Sequence, residues 1–176
     1  MTDGLTGQAD IDALFAATYE ELRRLAALVK RTHKSVTLDP TALVHEAWLK
    51  LSGSDGIHAV SELHFKRIAA RAMRQVLIDD VRRRKASKRG GANDVLMTMS
   101  LSPEPTVLAE DELIALDYSL DKLARMNPRQ AAMVEGRFFG GLEIPEIAEL
   151  LGISEATVLR DWRAAKAWLA QEVRKG

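Results

Sequence analysis

Ala148, Gly152 and Val158 stand at offsets of zero, four and ten, a spacing that leaves a short chain few options. Two helices crossing steeply need a small residue where they touch, a glycine to reverse the chain, and an apolar side chain locking the second helix to the first. Ile147, Leu150 and Leu151 supply an apolar face before the turn, and Ile153 packs the turn itself. Ser154 is suited to cap the second helix, and Glu155 falls in its first turn, where the helix dipole favours an acid. The pattern predicts helices over residues 144–151 and about 154–173, a helix-turn-helix.

On the second helix Val158, Trp162, Ala165 and Leu169 share one face and are expected to be buried. Glu155, Ala156, Leu159, Arg160, Arg163 and Lys166 then point elsewhere and can enter a major groove. An arginine there reaches guanine O6 and N7 with two hydrogen bonds, each such contact discriminating by about 1–3 kcal/mol. Arg160 and Arg163 are the first candidates for base or phosphate contact, with Thr157 and Lys166 behind them. Arg129 and Arg137, on the preceding helix, read as phosphate anchors or plain surface charges. The alternative is a helical hairpin with a solvated basic face.

The remaining chain extends the helical reading. Aromatic residues make up 5% of the 176, only five prolines occur, and Ala, Leu, Glu and Arg dominate, which favours an all-α fold. Asp10 can cap a first helix whose apolar residues (Ile11, Leu14, Phe15, Leu22, Leu25, Ala26 and Val29) recur every three or four positions. Asp39-Pro40 gives a cap and a first-turn proline to a second, with Leu43, Val44, Ala47, Trp48 and Leu51 as its buried stripe and Glu46 and Lys50 as an exposed pair. From about Glu62 a third helix carries Phe65, Ile68, Ala69, Ala72, Met73, Val76, Leu77 and Val81 inward, with Lys66, Arg67, Arg71 and Arg74 off that stripe. It runs into Arg82-Arg83-Arg84-Lys85 before Gly90-Gly91. Residues 92–110 lack periodicity and read as a linker. A second domain then opens with Leu113, Leu116, Leu120 and Leu123, and Asn127-Pro128 starts a helix ending at Gly140-Gly141. The domains are expected at 8–91 and 111–175.

The formal net charge is zero, yet the charges are segregated. Residues 65–91 hold ten Lys and Arg against two Asp, a balance of +8, while 92–121 hold seven acids and no base. Such blocks imply two surfaces with different partners, or one surface that masks the other.

The absence of cysteine excludes disulfides, thiol catalysis and cysteine-ligated zinc, and fits a reducing cytoplasm. No apolar stretch approaches the roughly 20 residues of a membrane span, and Met1-Thr2-Asp3-Gly4 does not open a signal sequence. His45-Glu46 has no second histidine at the helical spacing of a zinc site, so no metal or other cofactor is expected. His33, His58 and His64 read as surface or loop residues, and Trp48 and Phe65 as core. An enzyme is poorly supported: there is no phosphate loop and no nucleophile paired with a base.

Across nearly its whole length the chain resembles the extracytoplasmic-function group of bacterial RNA polymerase sigma factors. Leu43-Val44-His45-Glu46-Ala47-Trp48-Leu49-Lys50-Leu51 is similar to that group's polymerase-binding segment, which usually reads close to LVQEVFLRL. Residues 65–85 are similar to its promoter-melting segment, an apolar helix ending in an arginine run. Asn127-Pro128-Arg129-Gln130, Arg137-Phe138-Phe139 and Ile147-Ala148-Glu149-Leu150-Leu151-Gly152-Ile153-Ser154 follow its C-terminal domain in order and spacing.

The resemblance implies two helical domains on core RNA polymerase. The first, sigma region 2, would grip the clamp of the large catalytic subunit through Leu43, His45, Glu46 and Lys50. It would open the minus-ten element with Arg67, Arg71, Arg74, Arg82, Arg83 and Arg84. The second, sigma region 4, would read the minus-thirty-five element with Thr157, Arg160, Arg163 and Lys166. Basic and aromatic groups would hold phosphates and the opened strand.

One departure concerns regulation. Where the group carries an acidic pattern like DAED in region 2.2, this chain reads Asp39-Pro40-Thr41-Ala42. Some members with that loss are switched on by a serine/threonine kinase, and phosphate on Thr41 would restore about −1.5 to −2 charges at a helix N-terminus. Thr41 is the first candidate and Thr37 the second. Two other functions compete: a helix-turn-helix repressor or activator, which would leave a palindromic footprint as a dimer, and an RNA-binding antitermination protein using the basic block.

Overall fold

The computed structural model describes residues 8–32, 38–53, 61–87 and 110–175, and every regular element within them is a helix. These are α1 (Gln8–Thr32), α2 (Pro40–Ser52), α3 (Glu62–Ser87), α4 (Glu110–Met126), α5 (Pro128–Phe138), α6 (Ile144–Leu151) and α7 (Glu155–Val173). Most of the expected 92–110 linker lies outside the described residues, as do His33, Thr37 and His58.

Helices α1, α2 and α3 pack on one another around Leu22, Leu43, Phe65 and Leu77, all fully buried. Helix α1 starts at Gln8, so Asp10 lies in its first turn and is not its cap. Its carboxylate still meets the positive end of the dipole there. Thr18 is buried in mid-helix, and its hydroxyl donates to the Leu14 carbonyl at 2.8 Å, so no polar group is stranded. Asp39 caps α2 as its sequence predicts, accepting from the Ala42 N–H at 2.9 Å, with Pro40 next in the chain. Lys50 reaches across to Asp79 of α3 at 3.0 Å.

In the C-terminal half α4, α5 and α7 pack mutually, with α6 against α5 and α7. Leu113, Leu116, Leu120 and Leu123 of α4 and Leu169 of α7 meet Met133, Leu142 and Ile147 in the core. Asn127 caps α5, accepting from the Gln130 N–H at 3.2 Å.

Helix α3 belongs to both halves, packing against α4, α5 and α6 as well as α1 and α2. Two residues expected off its buried stripe, Lys66 and Arg74, are each only 7% exposed. Lys66 lies between Glu21 at 2.6 Å and Glu62 at 3.0 Å. Burial presses its pKa down, but the two carboxylates outweigh that and hold it above the ordinary lysine value. Arg74 faces the other half. The α5–α6 turn also approaches closely: a Cβ on Gly140 would lie 3.1 Å from the Ala70 methyl, and one on Gly141 would lie 2.2 Å from Leu25. Backbone meets α1 and α3 there with no side chain between.

Candidate nucleic-acid interface

Gly152 closes α6 in the left-handed conformation, φ 63° and ψ 37°. Its N–H donates to the Glu149 carbonyl at 3.2 Å and that of Ile153 to Ala148 at 3.0 Å, satisfying carbonyls the helix end leaves open. No atom lies within 4 Å of where a Cβ would stand, so glycine is required for its backbone angle alone. Ser154 caps α7, its Oγ accepting from the Thr157 N–H at 3.2 Å. Val158, Ala165 and Leu169 are buried and Ile147 and Ala148 oppose them, so the crossing is set by the residues whose spacing predicted it. Trp162 is half-buried, with the Arg137 guanidinium 5.3 Å and the Lys166 ammonium 5.6 Å from its ring centroid.

The opposite face of α7 is open. The Arg160 side chain is 74% exposed, and Glu155, Ala156, Leu159 and Arg163 are exposed beside it. Thr157 is half-buried, its hydroxyl 2.9 Å from Ser154 Oγ, so it serves the cap first. Asp161 escaped the sequence reading. It is 6% exposed and accepts from Arg129 Nη2 at 2.6 Å, with Arg160 Nε at 3.5 Å. Three residues after Val158 and four before Ala165, it stands on the buried stripe, and an acid there must find a cation. That signal was available in the sequence and points to Arg129 as a structural partner of α7.

The six arginines proposed for the minus-ten strand fall into two groups. Arg71 and Arg83 are exposed and Arg67 half-exposed. Arg74, Arg82 and Arg84 are taken up by acids. Arg74 donates from Nε to Asp117 at 2.8 Å and from Nη1 to Glu135 at 2.8 Å, while Nη2 serves the Asp117 carbonyl at 2.9 Å and Asp121 at 2.6 Å. Burial opposes its charge, but the carboxylates more than compensate and raise its pKa above the ordinary arginine value. Arg82 reaches Asp117 at 3.1 Å. Arg84 lies between Asp80 at 3.2 Å and Glu110 at 2.9 Å, and Lys85 pairs with Asp111.

On α2, Leu43 is buried and shapes the helix from within, whereas His45, Glu46 and Lys50 are exposed. His45 Nε2 is 3.4 Å from the Tyr19 hydroxyl, and Trp48 stacks on Phe15 with centroids 4.3 Å apart. Leu49, 62% exposed, was not singled out by the sequence, yet it stands beside those polar residues as an apolar contact. Thr41 is exposed in the first turn of α2. Among the described residues no group of three or more His, Cys, Asp or Glu could hold a metal ion, and no helix is long and apolar enough to cross a membrane.

Compared with known proteins, residues 5–175 match a family model described as ECF sigma factor. No curated protein and no solved structure matches the chain.

Proposed function

From the premise that this chain belongs to the extracytoplasmic-function sigma factor family, and so acts in transcription initiation with core RNA polymerase and promoter DNA, we propose how its parts divide that work. Region 4, residues 111–175, reads the minus-thirty-five element through α7. Arg160 and Arg163 reach base edges or phosphates, and Thr157 and Lys166 support them. The observation that carries this is the exposed arginine face of a capped helix whose opposite face is locked to α6.

Region 2, residues 8–91, docks on the polymerase clamp through the exposed face of α2, with His45, Glu46, Leu49 and Lys50 in contact and Leu43 holding the helix in place. Arg67, Arg71 and Arg83 meet the minus-ten DNA first. Run-off transcription with purified core polymerase, followed by mapping of start sites, tests the division. The expected result is initiation at defined promoters, with Arg160→Ala losing promoter choice while keeping polymerase affinity. Binding of palindromic duplexes by the chain alone, with no polymerase-dependent initiation, would favour the repressor reading.

Phosphorylation of Thr41 completes the polymerase-binding surface. Asp39 is the one acid in the segment where the family pattern has more, and Thr41 is accessible beside it at the positive end of α2. A serine/threonine kinase is the corresponding partner. Polymerase affinities of wild type, Thr41→Ala and Thr41→Glu, with and without kinase, decide it: a gain confined to the phosphorylated and Glu forms supports the switch, and equal affinities end it.

A further inference from the structure

We propose that Leu159 is a specificity-determining residue of α7 and reads the C5-methyl group of a thymine in the upstream promoter element. This rests on the reading of α7 as the minus-thirty-five helix.

Val158, Ala165 and Leu169 turn inward. With about 3.6 residues per turn, the side opposite them carries Ala156 and Arg163, with Arg160 on one flank and Leu159 on the other. All four are exposed. Leu159, 42% exposed, is the one large apolar side chain of α7 left open to solvent. The other exposed apolar residues of the helix, Ala156, Ala164 and Ala167, offer a methyl each. Leu159 alone reaches outward with apolar surface, beside two arginines.

Chemistry assigns that side chain a target. Leucine has no donor or acceptor, so it holds neither a phosphate nor the polar edge of a base. Glu155, one turn earlier and exposed, repels phosphates, which makes this flank of α7 unsuited to the DNA backbone. In the major groove adenine, guanine and cytosine present hydrogen-bonding groups, and thymine alone adds a methyl. Leu159 also lies within the first turn and a half of α7, the part of a recognition helix that meets base edges. Contact with the methyl removes both apolar groups from water. An amino group at the same place would lose its hydration and gain no partner.

The neighbouring arginine limits where the thymine lies. Leu159 and Arg163 are four residues apart, about 6 Å along the axis at about 1.5 Å per residue, against about 3.4 Å per base pair. A helix that brings Arg163 to a guanine therefore sets Leu159 over a base within about two pairs of it. The element is read in two ways side by side, guanine by hydrogen bonds and thymine by its methyl. Ala156 is small enough to let α7 come close.

The test changes one methyl on the DNA and uses the full chain with core polymerase. Promoter duplexes with a randomised upstream element are selected by the holoenzyme, and each thymine of the recovered element is replaced in turn by deoxyuridine, which pairs alike and lacks only the methyl. At one thymine the replacement should weaken binding about fourfold, the effect of one buried methyl. Leu159→Ala should bind the thymine and deoxyuridine duplexes equally. Leu159→Gln should move the selected base at that position toward adenine, which an amide recognises. The residue is exposed, so both variants keep the fold, and the deoxyuridine arm needs no variant.

A penalty of the same size in wild type and Leu159→Ala, or no sensitive thymine at all, overturns the assignment. Arg160→Ala and Arg163→Ala separate its failure from that of the underlying reading. If they alter the selected element while deoxyuridine and Leu159→Ala have no effect, the methyl contact alone falls. If no upstream element is recovered, or neither arginine variant changes it, α7 does not read the promoter and both fall together.

Discussion

Arg160 and Asp161 are neighbours on α7 with different tasks. One projects into solvent, and the other is buried against Arg129. Arg160→Ala should therefore weaken binding of a minus-thirty-five duplex by about 1–3 kcal/mol and leave stability within about 0.5 kcal/mol. Asp161→Asn should instead lower stability by about 1 kcal/mol, a modest figure because the Arg129 side chain is 46% exposed and its charge is screened. Duplex titration and urea denaturation of both variants separate the roles, and the reverse assignment of effects would refute them. His64 gives a pH dependence. Burial, and next the Arg67 charge, hold its pKa below the ordinary 6.5, so the unfolded chain binds the proton more readily. Its contribution is intact above 6.5 and declines as pH falls toward the lower folded pKa. Urea midpoints compared at pH 7.5 and 5.5 should show a smaller loss in His64→Gln than in wild type.

Among the elements, the two positive-φ glycines separate backbone strain from packing. Gly152 and Gly141 have nearly the same φ, 63° and 62°. A methyl at Gly152 meets open space, whereas one at Gly141 meets three atoms of the Leu25 side chain. Gly152→Ala should cost about 1–2 kcal/mol from conformation alone, and Gly141→Ala about 1–3 kcal/mol more from overpacking. Equal losses in urea denaturation would mean that the α5–α6 turn does not rest on α1. The helix-turn-helix was legible because cap, glycine and apolar lock are local features a few residues apart. The start of α2 was legible for the same reason, in Asp39-Pro40. The second buried face of α3 was not, because a single stripe of small and branched residues accounts for one neighbour only. Arg74 looks like any solvent-facing arginine until α4 and α5 are placed against it. The candidate surface of α2 was partly legible: Leu43 obeyed the helical stripe and lies inside, while Leu49 broke it and lies outside.

At the scale of the molecule, the sequence shows a basic block followed by an acidic one, but which acid meets which base depends on how two halves separated by residues 88–109 come together. Periodicity carries no information about that. The contact has a thermodynamic consequence independent of DNA. Because α3 is packed by elements of both halves, and Arg74 is held by carboxylates of the C-terminal half, unfolding of one half removes packing and ion pairs that the other shares with it. The free chain should accordingly unfold in one cooperative transition, with calorimetric and van't Hoff enthalpies in agreement. Removing carboxylates from a buried pair costs about 3–5 kcal/mol, most of it the penalty of the unpaired charge. Asp117→Asn with Glu135→Gln should then uncouple the halves and resolve two transitions, the lower one lost from a fragment lacking the corresponding helices. Salt acts differently on the two classes of pair: exposed Lys85 and Asp111 lie within reach of screening ions, while buried Arg74 does not. Raising salt from 0.05 to 1 M should thus leave the wild-type transition single. A transition that splits with salt in the wild type, or stays single in the double variant, would place the coupling somewhere other than Arg74.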